Sequence, residues 1–125
     1  MSNENLKCAC NEGVKVVFSC SGAADVGELS DRAARKLARM NIAKMFCLAG
    51  IGGNVSGMIA SAKGADQVLV IDGCPQACAR KTLKERGLEE ISHLCLDDIG
   101  YAKGKTTFNE EHIEHVVMKG KEFFS

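Results

Sequence analysis

The 125-residue sequence is poor in aromatic residues, with no tryptophan and a single tyrosine, and it contains only one proline. No stretch approaches the roughly 20 consecutive apolar residues that cross a bilayer as a helix, so we expect no membrane-spanning segment. Sixteen basic residues balance sixteen acidic ones, and a chain without excess positive charge has little long-range attraction for phosphate groups. The composition therefore disfavours both nucleic acid and membrane lipid as partners.

The first residues, MSNENLK, lack the basic stretch and apolar run of a secretory signal, so we expect a cytoplasmic protein. Cysteine, by contrast, is abundant, with seven residues. In a reducing compartment, cysteines at motif-like positions are more often metal ligands or redox groups than structural disulfides. An odd number also fits a disulfide framework poorly, which favours a metal or redox role.

Apolar segments alternate with amphipathic ones along the chain. Strands are predicted over residues 14–19, 43–48, 67–72 and 93–96, and helices over 23–40, 55–63, 76–86 and 110–123. Strands separated by helices imply right-handed crossovers and a mainly parallel sheet covered on both faces. We therefore predict an α/β fold: a single three-layer domain over residues 13–125 with a four-stranded sheet in the order 2-1-3-4. A mobile segment over residues 1–12 is expected to precede it.

Four cysteines fall where the predicted strands end. Cys20 follows the first strand, Cys47 ends the second, and Cys74 follows the third, with Cys78 four residues later. Loops at the carboxyl edge of a parallel sheet form its binding crevice, and four thiolates suit tetrahedral zinc. If both are helical, Cys74 and Cys78 share a face, and the amides that open the helices after Cys20 and Cys74 would favour thiolate. The sequence thus predicts a zinc site at this edge, although any one cysteine could simply fill the core, as Cys47 could beside Phe46.

The remaining cysteines and the histidines receive other roles. Cys95, between two leucines, is predicted to be a core residue, and Pro75 to occupy the first position of the third helix. Cys8 and Cys10 lie in the polar amino-terminal segment, either as a flexible clamp over the metal or as an exposed tail. The three histidines are predicted to be surface residues: His93, His112 and His115.

The same cysteines leave other functions open. Cys74 and Arg80 have the Cys-(five residues)-Arg spacing of cysteine-dependent phosphatases and arsenate reductases, but Pro75 lacks an amide that such an anion-binding loop needs. The proton donor in that reaction would be Asp97 or Asp98. Four thiolates also suit an iron-sulfur cluster, and a dithiol could cycle between redox states. Asp72 would either position Cys74 through loop amides or cap a turn.

Three sequence blocks carry a family resemblance: CSGAADVG at residues 20–27, CLAGIGG at 47–53 and IDGCPQAC at 71–78. Together they resemble the DGC domain family, named for the triplet present here as Asp72-Gly73-Cys74. The resemblance implies a zinc-binding protein whose four characteristic cysteines correspond to Cys20, Cys47, Cys74 and Cys78. It implies no particular reaction, and the family's zinc assignment is itself inferred from the cysteine pattern.

Overall fold

The computed structural model describes residues 13–124, and the Cys8-x-Cys10 segment lies outside them. The strands of this region are β1 (Lys15–Ser19), β2 (Lys44–Met45), β3 (Gln67–Asp72) and β4 (Ser92–Cys95). Its α-helices are α1 (Asp25–Arg39), α2 (Leu48–Gly52), α3 (Ser56–Lys63), α4 (Cys78–Glu85) and α5 (Glu110–Lys121). Two 3-10 helices, Leu96–Ile99 and Glu122–Phe124, follow β4 and α5. Within residues 13–124, no helix has both the length and the apolar character of a bilayer span.

The sheet is entirely parallel, with the order β2-β1-β3-β4, as predicted. β1 pairs with β3 along its full length, from Lys15 opposite Gln67 to Ser19 opposite Ile71. β2 is an edge strand of two residues beside β1. Because all strands run in one direction, the chain leaves β1, β2 and β3 at the same edge of the sheet.

Alternate side chains of each strand enter two separate apolar layers. One layer packs the sheet against α1 and α5, and its strand residues are Val17, Leu69, Ile71 and Leu94. The other packs it under α2, α3 and α4, and its strand residues are Val16, Phe18, Val68 and Val70. The sheet is therefore covered on both faces, which confirms the predicted three-layer architecture.

The second strand is shorter than predicted, and a short helix that was not predicted follows it. Phe46 N–H still bonds to the Val17 carbonyl at 3.0 Å, but the chain then turns, and Cys47 becomes the N-cap of α2. The Arg86 guanidinium donates to the carbonyls of Ile51 and Gly52 at the end of α2, at 3.1 and 2.8 Å. This long-range capping stabilises a helix of only five residues whose local sequence is typical of a loop.

Helix α4 begins at Cys78, later than predicted, so Pro75 does not occupy its first position. Ala77 N–H bonds to the Cys74 carbonyl at 3.0 Å, which closes a turn before the helix. Ala77 has a left-handed backbone with a φ of 52°. A right-handed helix therefore cannot run from Pro75 through Ala77. Cys74 is therefore outside the helix, and the expectation that Cys74 and Cys78 share a helical face is wrong.

Candidate functional site at the carboxyl edge of the sheet

Cys20 leaves β1 with its thiol pointing to a serine of α1. Its backbone N–H bonds to the Ile71 carbonyl at 3.0 Å, and its partly buried Sγ lies 3.2 Å from Ser30 Oγ. Ser30 Oγ donates its own hydrogen to the Gly27 carbonyl at 2.8 Å. A serine hydroxyl has one hydrogen, so Cys20 must be the donor in the contact with Ser30. The Cys20 side chain is thus held against α1.

Cys47 has the opposite hydrogen-bonding role. As N-cap of α2, its exposed Sγ accepts a hydrogen bond from Gly50 N–H at 3.4 Å. The expectation that Cys47 ends a strand is therefore corrected: its side chain instead satisfies an opening amide of the next helix.

Cys20 and Cys47 line one open cleft of about 810 Å³ between α1 and α2. The α1 side of this cleft carries Arg35 and Arg39, four residues apart. Cys74 and Cys78 are not among the residues that line it. The structure thus brings two of the four predicted site cysteines into one cleft and leaves the other two outside it.

A polar network orders the α1 side of the cleft. Ser21 Oγ lies 2.6 Å from Ser19 Oγ and donates to Asp31 at 2.8 Å, while Arg35 Nε donates to the other oxygen of Asp31 at 2.8 Å. Burial acts to raise the pKa of Asp31, but the hydrogen bonds from Arg35 and Ser21 outweigh it and lower that pKa. Asp31 is therefore a carboxylate that orients Arg35. Ser21 has a φ of 49°, left-handed for a residue other than glycine, and such backbone strain clusters at functional sites.

The buried carboxylate of Asp72 caps α4. It is 1% exposed and accepts from Ala79 N–H at 2.9 Å and from Arg80 N–H at 3.1 Å. Of the two roles considered for Asp72, the structure shows the capping one. These opening amides therefore bond to Asp72, which removes the basis for expecting them to favour thiolate at Cys74.

His93 completes the environment of Asp72, its Nε2 lying 2.8 Å from the carboxylate. With a side chain only 19% exposed, His93 is not a surface residue, and that prediction is wrong. The strand register explains this contact. His93 pairs with Val70, and Val70 and Asp72 lie on the same face of the sheet because they are two residues apart.

Gly73, at the centre of the Asp-Gly-Cys triplet, allows α1 to approach the loop after β3. A Cβ at Gly73 would lie 2.8 Å from the backbone carbonyl carbon and oxygen of Val26. A Cβ at Gly27 would likewise lie 2.5 Å from the Gly22 carbonyl oxygen. The glycines of two sequence blocks therefore hold the loops of Cys20 and Cys74 close to the start of α1.

The other cysteines of the described region differ in burial. Cys74 is partly buried against the core layer of α1 and α5, and Cys78, the first residue of α4, is exposed. Cys95 is 7% exposed, and burial raises the pKa of its thiol. The prediction of Cys95 as a core residue is confirmed.

The fit of the site to a metal ion is partial. Four thiols on loops from one edge of the sheet are donors that suit zinc. Among residues 13–124, however, no three histidine, cysteine, aspartate or glutamate side chains are grouped closely enough to hold an ion. The donors therefore match zinc in type and number, but they are not assembled as they lie.

His112 and His115, both on α5, interact with Tyr101. Tyr101 Oη lies 2.6 Å from His115 Nδ1, and the His112 ring meets the Tyr101 ring edge-on at 5.1 Å. His115 is exposed, as predicted, whereas His112 is half-buried. Both histidines contact Tyr101.

Comparisons with known proteins identify the family. The family model of the DGC domain matches residues 16–119. The "Anaerobic and virulence modulator AnvM" of Pseudomonas aeruginosa PAO1 is 32% identical over 93 residues, which cover 74% of this chain and 71% of that protein. No solved structure gives a significant match. The match over most of the chain confirms the resemblance, and the chain belongs to the DGC domain family.

Proposed function

We propose that this chain binds a metal ion, zinc by preference, through the thiolates of Cys20, Cys47, Cys74 and Cys78. One observation carries the proposal: β1, β2 and β3 are parallel neighbours, and these four cysteines lie on the segments that leave their carboxyl ends. Such convergence on one edge is where ligand sites form in parallel sheets. Thiolate donors select soft or borderline ions, and four of them suit tetrahedral zinc.

Metal binding in this proposal is coupled to a local rearrangement, because the donors are not grouped as they lie. The movement is expected at the helix ends that carry two of the donors. α2 itself stays anchored, because Ile51 is fully buried and Arg86 caps the end of the helix. Cys47 and Cys78 are exposed at the amino-terminal ends of α2 and α4. Segments with little burial rearrange at low free-energy cost, so closure around an ion requires no unfolding of the core.

The hydrogen bonds around α4 favour a binding role over the phosphatase alternative. A phosphatase loop needs free backbone amides to hold an oxyanion. In the segment from Cys74 to Arg80, the amide of Ala77 bonds to a carbonyl, those of Ala79 and Arg80 bond to Asp72, and Pro75 has none.

Metal analysis and an absorption spectrum on anaerobically purified full-length protein test the proposal. A colourless protein with one zinc per chain is expected. Brown protein with iron and sulfide would replace zinc by an iron-sulfur cluster at the same cysteines. Phosphatase or arsenate reductase activity that disappears in Arg80→Ala would overturn the proposal in favour of an enzyme.

Single serine substitutions then test the ligand set. Each of the four, Cys20→Ser, Cys47→Ser, Cys74→Ser and Cys78→Ser, is expected to weaken zinc binding at least about tenfold, because a hydroxyl replaces a thiolate donor. Cys95→Ser is the control and keeps the metal stoichiometry. If Cys8 and Cys10 are required for stoichiometric metal and Cys20 and Cys47 are not, the proposed site is wrong.

A further inference from the structure

The cleft shared by Cys20 and Cys47 has the size and lining of a small-molecule site. Its volume of about 810 Å³ lies within the roughly 300–1,000 Å³ typical of ligand pockets. Met45, Phe46 and Leu48 give it apolar walls that can accept the aliphatic part of a ligand. A bare metal ion needs none of this space, so the cleft has room for a larger occupant.

The charge of the cleft selects the sign of that occupant. Its charged lining residues are Arg35, Arg39 and Asp31, so two guanidinium groups face one carboxylate and leave a net single positive charge. Asp31 bonds to Arg35 through Nε, and the remaining guanidinium donors of Arg35 are not used in that bond. Arg35 and Arg39 are exposed on one face of α1, and paired guanidinium groups recognise carboxylates. The cleft therefore favours a ligand with carboxylate groups.

The two sulfur atoms in the cleft are not chemically equivalent. Cys20 is partly buried, and its Sγ is held by the hydrogen bond to Ser30, a fully buried residue. Cys47 is exposed and lines the cleft, so a ligand bound there can reach its sulfur. Attack on a disulfide requires an accessible sulfur, so Cys47 is the reactive member of the pair.

We propose that this cleft binds low-molecular-weight disulfides that carry carboxylates, and that Cys47 undergoes thiol–disulfide exchange with them. The Cys47 thiolate attacks one sulfur of R–S–S–R, the Cys47–S–S–R bond forms, and the ligand's own S–S bond breaks. The second half leaves as RS⁻ with the electron pair, so Cys47 is oxidised and the released thiol is the reduced product. This activity goes beyond metal binding and requires no metal.

Oxidised glutathione and cystamine, an anionic and a cationic disulfide, provide matched probes. Reduced, chelator-treated full-length protein is mixed with each probe, and adducts are followed by intact mass and by peptide mapping of the five cysteines from Cys20 to Cys95. The first glutathione adduct among these five is expected on Cys47. Cys78 is the internal control, because it is also exposed but does not line the cleft.

Arginine substitutions test the recognition of the carboxylates. Arg39→Ala is expected to slow glutathione addition at Cys47 about threefold to fivefold at low ionic strength, without slowing cystamine. Arg32→Ala is the matched control: Arg32 is also exposed on α1, but it stacks on Phe108 outside the cleft and should leave both rates unchanged.

Several results would overturn the proposal. It fails if glutathione modifies Cys74 or Cys78 as fast as Cys47, or if Arg39→Ala slows both probes equally. It also fails if Cys20→Ser abolishes the first adduct in this set while Cys47→Ser leaves it. Because the protein is tested without metal, an absence of zinc in the purified protein would contradict the proposed function and leave this inference standing.

Discussion

Gly73 offers a test of packing at a single atom. Gly73→Ala would place a Cβ 2.8 Å from the backbone of Val26, so α1 or the loop after β3 must shift. We expect the free energy of unfolding, measured in urea, to fall by about 1–3 kcal/mol, as for other overpacked sites. Gly22→Ala is the control, because its Cβ meets nothing within 4 Å. A Gly73→Ala protein as stable as the wild type would contradict the close approach of α1.

Cys95 provides a second prediction at the residue scale. Its thiol is buried on β4, and a serine there would bring a more strongly hydrated hydroxyl into the core. Cys95→Ser is expected to lower the free energy of unfolding by about 1–3 kcal/mol. Because burial raises the pKa of Cys95, its thiol should react with alkylating reagents more slowly than the exposed Cys47 or Cys78. Equal rates at Cys95 and Cys78 in folded protein would contradict its burial.

At the scale of elements, the start of α4 depends on one carboxylate. Asp72→Asn replaces an oxygen that accepts hydrogen bonds with an amide that only donates, so Ala79 N–H, Arg80 N–H or His93 loses its acceptor. We expect a loss of about 1–3 kcal/mol in stability and faster hydrogen exchange at Ala79 and Arg80. Asp98→Asn, at an exposed position, is the control and should change neither quantity. Unchanged exchange in Asp72→Asn would rule out the capping role.

A second carboxylate attaches the loop before α5 to the start of α1. Asp25 accepts from Gly104 N–H at 2.9 Å and Thr106 N–H at 3.0 Å, and these bonds lower the pKa of Asp25. Because the folded pKa lies below the unfolded one, the contribution exists above the unfolded pKa and disappears as pH falls through the folded value. Asp25→Asn should therefore reduce the dependence of stability on pH in acid and raise hydrogen exchange at Gly104 and Thr106. Glu28→Gln, on the same helix, is the control, and identical acid titrations for Asp25→Asn and wild type would contradict this attachment.

The elements also show which parts of the fold could be predicted from the sequence and which could not. β3 was predicted with its observed bounds because its buried run is rich in β-branched residues, which favour a strand over a helix. Helix α2 was missed because its end is capped by Arg86, 35 residues from Ile51, a partner that local patterns do not reveal. The start of α4 was misplaced because Ala77 adopts a left-handed backbone that alanine seldom takes.

For the candidate site, the sequence predicted the position of the cysteines but not the geometry of their side chains. Strand order alone placed Cys20, Cys47 and Cys74 at one edge of the sheet, and the structure agrees. Which cysteines share a cleft depends on side-chain direction after each strand ends, and no periodicity encodes that. The hydrogen bond of Cys20 depends on Ser30, ten residues away, and that of Cys47 depends on α2, a helix that was not predicted.

For the whole molecule, metal removal is the most direct test of the proposed function. Metal that binds only the folded chain stabilises it, so chelation should lower the melting temperature and increase thiol reactivity. Metal should also dissociate as pH falls, because protons compete with the ion for the sulfur atoms. Thermal scans and thiol titration with and without chelator measure both effects. Equal thiol reactivity in the two samples would count against a metal site.

The pairing of β1 with β3 has a consequence for how the protein is made. Val14 and Asp66, hydrogen-bonded where the two strands begin, are 52 residues apart in the chain. At about 5–20 residues per second, synthesis leaves β1 without this partner for roughly 3 to 10 seconds. Cys20 and Cys47 are both translated within that interval, before β3 exists to complete the centre of the sheet. Oxidants or metal ions present during translation therefore meet these two thiols while their separation is still unconstrained.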